Sequence, residues 1–196
     1  IPRKDDSLMD IVIYGPKEKP QTAPGILWIH GGGYCIGAPD QDIMTIREFI
    51  DQSGCTVVAP YYTLATEKPY PAALEDCYLA LKWMVANSTE LGISNDQIMV
   101  AGSSAGGGLT EALCIYARDK GEISIAFQMP LYPMLDDRML TVSSQNNDAP
   151  VWNTKSNINA WKMYLKDLYQ ANDVPPYAAP GRLENFEGLP PAYTFV

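Results

Sequence analysis

Five residues constrain this chain more than any others: Gly102-Ser103-Ser104-Ala105-Gly106. Before them, Ile98-Met99-Val100-Ala101 is a short apolar run that reads as a buried strand. After them, Leu109, Ala112, Leu113, Tyr116 and Ala117 fall on one face of a helix. A backbone that turns from strand to helix this sharply needs glycine where main chain passes close to main chain. Glycines two positions either side of Ser104 meet that need, and the turn lifts the Ser104 hydroxyl above the strand end. The helix then aims its N-terminal amides at negative charge developing there. Ser104 is therefore the candidate nucleophile. Ser103 is a weaker one, because the same spacing about it puts Ala101 and Ala105 where glycines are needed. The bland alternative is a glycine-rich turn cradling a phosphate; the flanking strand and helix favour the nucleophile. Gly107 and Gly108 are expected to allow close helix packing or the approach of an oxyanion loop.

A second segment supplies what such a nucleophile requires. His30-Gly31-Gly32-Gly33-Tyr34 follows the apolar run Ile26-Leu27-Trp28-Ile29. Consecutive glycines let backbone N–H groups converge without side-chain obstruction. Donors of this kind stabilise a tetrahedral oxyanion by about 3–4 kcal/mol each. Gly32 and Gly33 are the expected donors, with the Ala105 amide as the third. His30, at the strand end, is expected to hold the loop together with Gly31 rather than act as a base. The alternative is a merely flexible glycine loop.

The remaining chain fits one α/β domain spanning residues 1–196. Strands are expected at Met9–Tyr14, Ile26–Ile29, Thr56–Ala59, Ile98–Ala101, Ile125–Met129 and Pro190–Val196, with helices over Asp42–Ser53 and after Pro71. Strands apolar on both faces, alternating with amphipathic helices, imply a mostly parallel sheet covered on both sides. Residues 136–176 break the rhythm. A polar stretch from Ser143 to Asp148 precedes a stripe of Ile158, Trp161, Leu165 and Leu168 with Tyr164 beside it. This reads as a cap-like insertion over the active end of the sheet, or as a long loop and ordinary crossover helix. Tyr34, Trp152, Trp161 and Tyr164 are candidate walls of a substrate pocket, or plain core.

Charge and cysteines narrow the function classes. Fourteen basic residues against 23 acidic give a net charge of −9, so no basic nucleic-acid footprint exists. No apolar run approaches the roughly 18 residues of a membrane span. Cys35, Cys55, Cys77 and Cys114 form no Cys-x-x-Cys pair and read as reduced thiols of a cytoplasmic protein. With His30 the one histidine, no metal site is expected.

Taken together, His30-Gly31-Gly32-Gly33 and Gly102-Ser103-Ser104-Ala105-Gly106-Gly107 resemble the hormone-sensitive-lipase-like branch of the α/β-hydrolases. Tyr62-Thr63-Leu64-Ala65-Thr66-Glu67 is similar to that family's Tyr-Arg-Leu-Ala-Pro-Glu, with Thr63 and Thr66 in place of Arg and Pro. Tyr70-Pro71-Ala72-Ala73-Leu74-Glu75-Asp76 and Leu189-Pro190-Pro191-Ala192-Tyr193 also match, and Ser103 replaces the acidic residue usual before the nucleophile. The resemblance implies the α/β-hydrolase fold and a carboxylic ester hydrolase. It implies short to medium acyl esters as substrates, an acyl-enzyme on Ser104, and no cofactor. It further implies an N-terminal cap before Ile1, and C-terminal strands, a triad acid and a triad histidine after Val196. On that expectation residues 1–196 lack the base and acid, and the sheet edge left open favours association of copies. Two other readings share the fold: a non-catalytic small-molecule receptor, and an amide or peptide hydrolase.

Overall fold

The computed structural model describes residues 1–18 and 22–196. Its strands are β1 (Ile11–Tyr14), β2 (Ala23–Ile29), β3 (Thr56–Pro60), β4 (Ile93–Ser103) and β5 (Phe127–Leu131). They form one sheet in the order β1-β3-β2-β4-β5. β2, β3, β4 and β5 run parallel, and β1 lies antiparallel on the β3 edge.

Side chains alternate across a strand, so an unbroken apolar run feeds two cores at once. Leu27, Ile29, Val58 and Val100 face the helices α2 (Ala72–Ala86) and α4 (Ala105–Lys120), joining Leu74, Leu81, Leu109 and Leu113. Ile26, Trp28, Val57, Ala59 and Ala101 face the other way. There they meet Ile46, Phe49 and Ile50 of α1 (Ile43–Ser53). The sheet expected to be covered on both sides is covered on both sides. A single turn, α3 (Ser88–Leu91), leads into β4.

Every expected strand shifts at an end: β1 starts two residues later at Ile11, β2 three residues earlier at Ala23, and β3 runs one residue on to Pro60. β4 starts at Ile93, ahead of the apolar run, because exposed Asn95, Asp96 and Gln97 belong to the strand without contributing to either core. β5 is shifted to Phe127–Leu131 and contains Pro130. The expected strand at Pro190–Val196 reduces to two isolated parallel bridges, Ala192 to Gln128 and Phe195 to Leu131. Pro130 lies between those bridges and has no N–H to donate. The Gln128 amide donates to Pro191 (3.0 Å), the Tyr193 amide to Gln128 (3.1 Å) and the Tyr132 amide to Phe195 (2.7 Å), and Pro130 can add no donor to this border.

Residues 136–176 carry α5 (Val142–Gln145) and α6 (Thr154–Leu165). Asn153 caps α6 by accepting from the Ser156 amide (3.0 Å), which satisfies one of the donors a helix leaves open at its start. The buried face of α6 is Ala160, Trp161, Tyr164 and Leu165. Ile158 is half-buried, and Leu168 falls in the following 3₁₀ turn.

Candidate active site

The turn from β4 to α4 places Ser104 at the N-cap of α4 with φ 55° and ψ −114°, a conformation that side-chain-bearing residues seldom adopt. Its amide donates to Leu131 (2.9 Å), and its carbonyl accepts from Met134 and Gly108 (3.0 Å each). The strand end, the helix start and the loop after β5 thus meet on one residue. The flanking glycines are sterically required. A Cβ on Gly102 would lie 2.5 Å from the Ile29 carbonyl oxygen, and one on Gly106 would lie 2.0 Å from the same atom. Gly107 and Gly108 admit the loop after β5: their Cβ atoms would lie 3.0 Å from Pro133 and 2.2 Å from the Met134 oxygen.

The glycine loop lies flush against this turn. A Cβ on Gly31 would be 2.9 Å from the Ser103 oxygen and 3.3 Å from Ser104 Cβ. Gly32 (φ 118°) and Gly33 (φ 59°) occupy the left-handed region that glycine tolerates. Gly32 turns the chain by accepting at its carbonyl from Cys35 (3.0 Å) and Ile36 (3.1 Å). Among the described residues neither the Gly32 nor the Gly33 amide donates a hydrogen bond. Ala105, first residue of α4, carries one of the amides that a helix cannot satisfy internally. All three expected donors are thus uncommitted and close to the serine turn.

His30 is 1% exposed. Its Nδ1 lies 2.7 Å from the Gly31 carbonyl oxygen. Its ring stacks on Tyr62 at 4.2 Å, and the Tyr62 hydroxyl donates to the His30 carbonyl (3.0 Å). Burial pushes its pKa below the ordinary 6.5, against weaker opposing effects of the Gly31 bond and Asp42. The neutral ring therefore donates from Nδ1 to Gly31, bracing the loop. No hydrogen bond among the described residues joins it to Ser104. Asp42 braces the other side: its Oδ2 accepts from Trp28 Nε1 (2.9 Å) and Ser103 Oγ (3.2 Å).

A cavity of about 460 Å³ opens at Ser104, with Tyr132, Met134, Trp152, Asn157 and Trp161 in its walls. Of the four aromatics proposed as pocket walls, Trp152 and Trp161 line it. Tyr34 and Tyr164 do not. Their rings stack at 4.0 Å, each 1% exposed, and they pack against Trp161 at 5.5 and 6.1 Å. The Tyr34 hydroxyl is committed to the Met134 carbonyl (3.1 Å). Stacking of flat rings draws them into the core behind the wall. Trp152 covers Gly33, where a Cβ would lie 2.4 Å from its ring.

Sequence reasoning missed Tyr132 and Asn157. Tyr132 directly follows β5 at φ 34°, on the carboxyl end of the sheet where open α/β folds place ligands. Asn157 precedes Trp161 by one helical turn, so the two share a face; an apolar stripe carries no signal for a polar residue beside it. Among the described residues no three His, Cys, Asp or Glu side chains group to hold a metal ion.

A strained serine at a strand-to-helix turn, on a mostly parallel sheet with both faces covered, defines the α/β-hydrolase class. The chain belongs to that family: a family profile described as alpha/beta hydrolase fold matches residues 26–196. It is 38% identical over 187 residues to esterase LipI of Mycobacterium tuberculosis, covering 94% of this chain and 58% of LipI. It is 32% identical over 196 residues to an arylesterase of Saccharolobus solfataricus, covering 96% and 61%. Among solved structures, a bacterial heroin esterase matches with a TM-score of 0.91 at 40% identity, over 95% of this chain and 60% of that one. The chain spans about three-fifths of the length of these relatives.

Proposed function

We propose that the whole protein is a carboxylic ester hydrolase acting on short to medium acyl esters, with Ser104 as its nucleophile. The observation that carries this is the contact of the two motifs. Gly31 abuts Ser104 at van der Waals range, and in this reading the amides of Gly32, Gly33 and Ala105 receive the oxygen of the attacked carbonyl. Ser104 Oγ adds to the ester carbon, the amides hold the oxyanion, and the alcohol leaves. Water then releases the acid from the acyl-enzyme. A base must take the Ser104 proton. His30 is engaged with the loop, so the triad histidine and its acid are assigned to the part of the relatives' length that residues 1–196 do not span. The cavity volume lies in the range of small-ligand sites, in keeping with modest acyl chains.

Residues 136–176 serve as a cap-like wall of the site in this reading. The family names of the relatives support the same chemistry. Among the described residues no helix is long and apolar enough to cross a membrane. All four cysteines are free and buried, which suits a reducing compartment such as the cytoplasm.

Fluorophosphonate labelling of the full-length protein tests the proposal. Labelling is expected at Ser104 and is abolished by Ser104→Ala. An unlabelled Ser104 would favour a receptor instead. Faster turnover of an aryl amide than of the matched aryl ester would make the protein an amidase.

A further inference from the structure

The cavity at Ser104 is bordered on one side by residues 143–157, and nearly every polar group there is already engaged. Asn153 accepts from the Ser156 amide and donates to the Ala149 carbonyl. Asn147 accepts from the Ala149 amide and donates to the Trp152 carbonyl. The Thr154 hydroxyl donates to the Ser144 carbonyl, and the Ser144 hydroxyl to the Thr141 carbonyl. Asp136, the one charged residue lining the cavity, is clamped by two nitrogens of Arg138 at 2.8 and 2.7 Å.

Asn157 is the exception. Trp152 Nε1 donates to its Oδ1 at 3.3 Å. An indole N–H can only donate, so this contact fixes which end of the amide is oxygen. The Nδ2 end has no acceptor among the described residues, and it is absent from the sealed, unpaired polar atoms, so it is open to solvent. Asn157 lines the same cavity as Ser104. The indole that orients it also covers Gly33 of the glycine loop.

We infer that Asn157 is a specificity-determining residue: its Nδ2 donates to an acceptor oxygen on the substrate arm that occupies this cavity. The preferred substrates are then esters bearing an ether, hydroxyl or carbonyl oxygen in that arm, rather than plain alkyl esters. This rests on the ester-hydrolase reading for its substrate class. The donor itself is a property of the cavity and is testable without turnover.

The test pairs ligands of equal shape. In the full-length protein, calorimetry would compare binding of α-methoxyacetophenone and butyrophenone, which differ by one ether oxygen for one methylene. Hydrolysis would compare an aryl methoxyacetate with the aryl butyrate, and a methoxyethyl ester with the butyl ester. Asn157→Asp keeps an oxygen for Trp152 and so keeps the wall, but removes the N–H donors. The oxygen-to-methylene preference is expected to fall about three- to tenfold in Asn157→Asp, the usual worth of one neutral hydrogen bond. Dividing variant by wild type cancels the intrinsic reactivities of the esters. Trp152→Phe frees the amide to turn over and is expected to give a value between the two. An unchanged ketone preference in Asn157→Asp would overturn the inference, whatever the esters do. A changed ketone preference with no ester hydrolysed would leave it standing and sink the hydrolase reading instead.

Discussion

Ser104 holds an unfavourable backbone conformation at φ 55°, and strain of this kind costs about 1–3 kcal/mol. Leu131, Met134 and Gly108 pin it there through both its amide and its carbonyl. Glycine loses nothing at such angles, whereas alanine keeps the Cβ. Ser104→Gly is therefore expected to be about 1 kcal/mol more stable than Ser104→Ala in urea unfolding, both being inert to fluorophosphonate. Equal stabilities would mean that the turn stores no strain. His30 gives a pH signature. Burial lowers its pKa below 6.5, so the unfolded chain binds this proton more tightly. The stabilisation is complete above about pH 6.5, and is lost as pH falls from there through the folded-state value. Because His30 is the one histidine, His30→Gln should flatten that part of the stability profile. A slope that persists in the variant would assign it to other groups. Both residues could be picked out by motif. The direction of His30, toward its own loop and Tyr62, emerged only with the tertiary contacts.

At the level of elements, two hydroxyls stand where the resembled motifs carry charge, and each reaches a carboxylate from elsewhere in the chain. Ser103 donates to Asp42 at the start of α1 (3.2 Å). Thr63 donates to Asp76 of α2 through its hydroxyl (2.6 Å) and its amide (2.8 Å). The guanidinium missing at position 63 is supplied by Arg3, which meets both Asp76 oxygens at 2.7 and 3.0 Å. Asp76 is 4% exposed, so losing Arg3 leaves a buried carboxylate with the Thr63 bonds alone. Arg3→Met is expected to cost about 2–3 kcal/mol, read as a lower urea midpoint at unchanged slope. A cost near zero would show that Thr63 suffices. The departures at 63 and 103 were visible in the sequence. Their compensation was not, because 60 residues separate Arg3 from Thr63 and 61 separate Asp42 from Ser103. Apolar runs marked the strands well where both faces are buried, as in β2 and β3. They failed in the first half of β4, where exposed Asn95, Asp96 and Gln97 fall in the register shift between the Ala23–Ile93 and Gly25–Ile98 pairs and contribute to no core.

For the molecule as a whole, the layered architecture was legible because alternating side chains must satisfy two cores. The β5 border was not, since Pro130 interrupts the ladder that the apolar pattern of Pro190–Val196 predicts. Tyr132, Tyr193 and Phe195 are about half exposed along that border, a surface that invites strand-to-strand association. The 196-residue chain is expected to self-associate with rising concentration in sedimentation velocity, and Phe195→Lys to shift it toward monomer. A monomer at all concentrations would show that this border is inert. The seat of Trp152 has an optical consequence. Trp28 and Trp161 are buried at 1% exposure and half-buried Trp83 sits on α2, outside the cavity lining, whereas Trp152 is partly exposed, lies on Gly33 and donates its N–H to Asn157. Its emission is thus sensitive to whatever displaces water from the glycine loop. The protein carries an intrinsic fluorophore at the mouth of its own site, able to report occupancy in real time without a dye or a chromogenic leaving group.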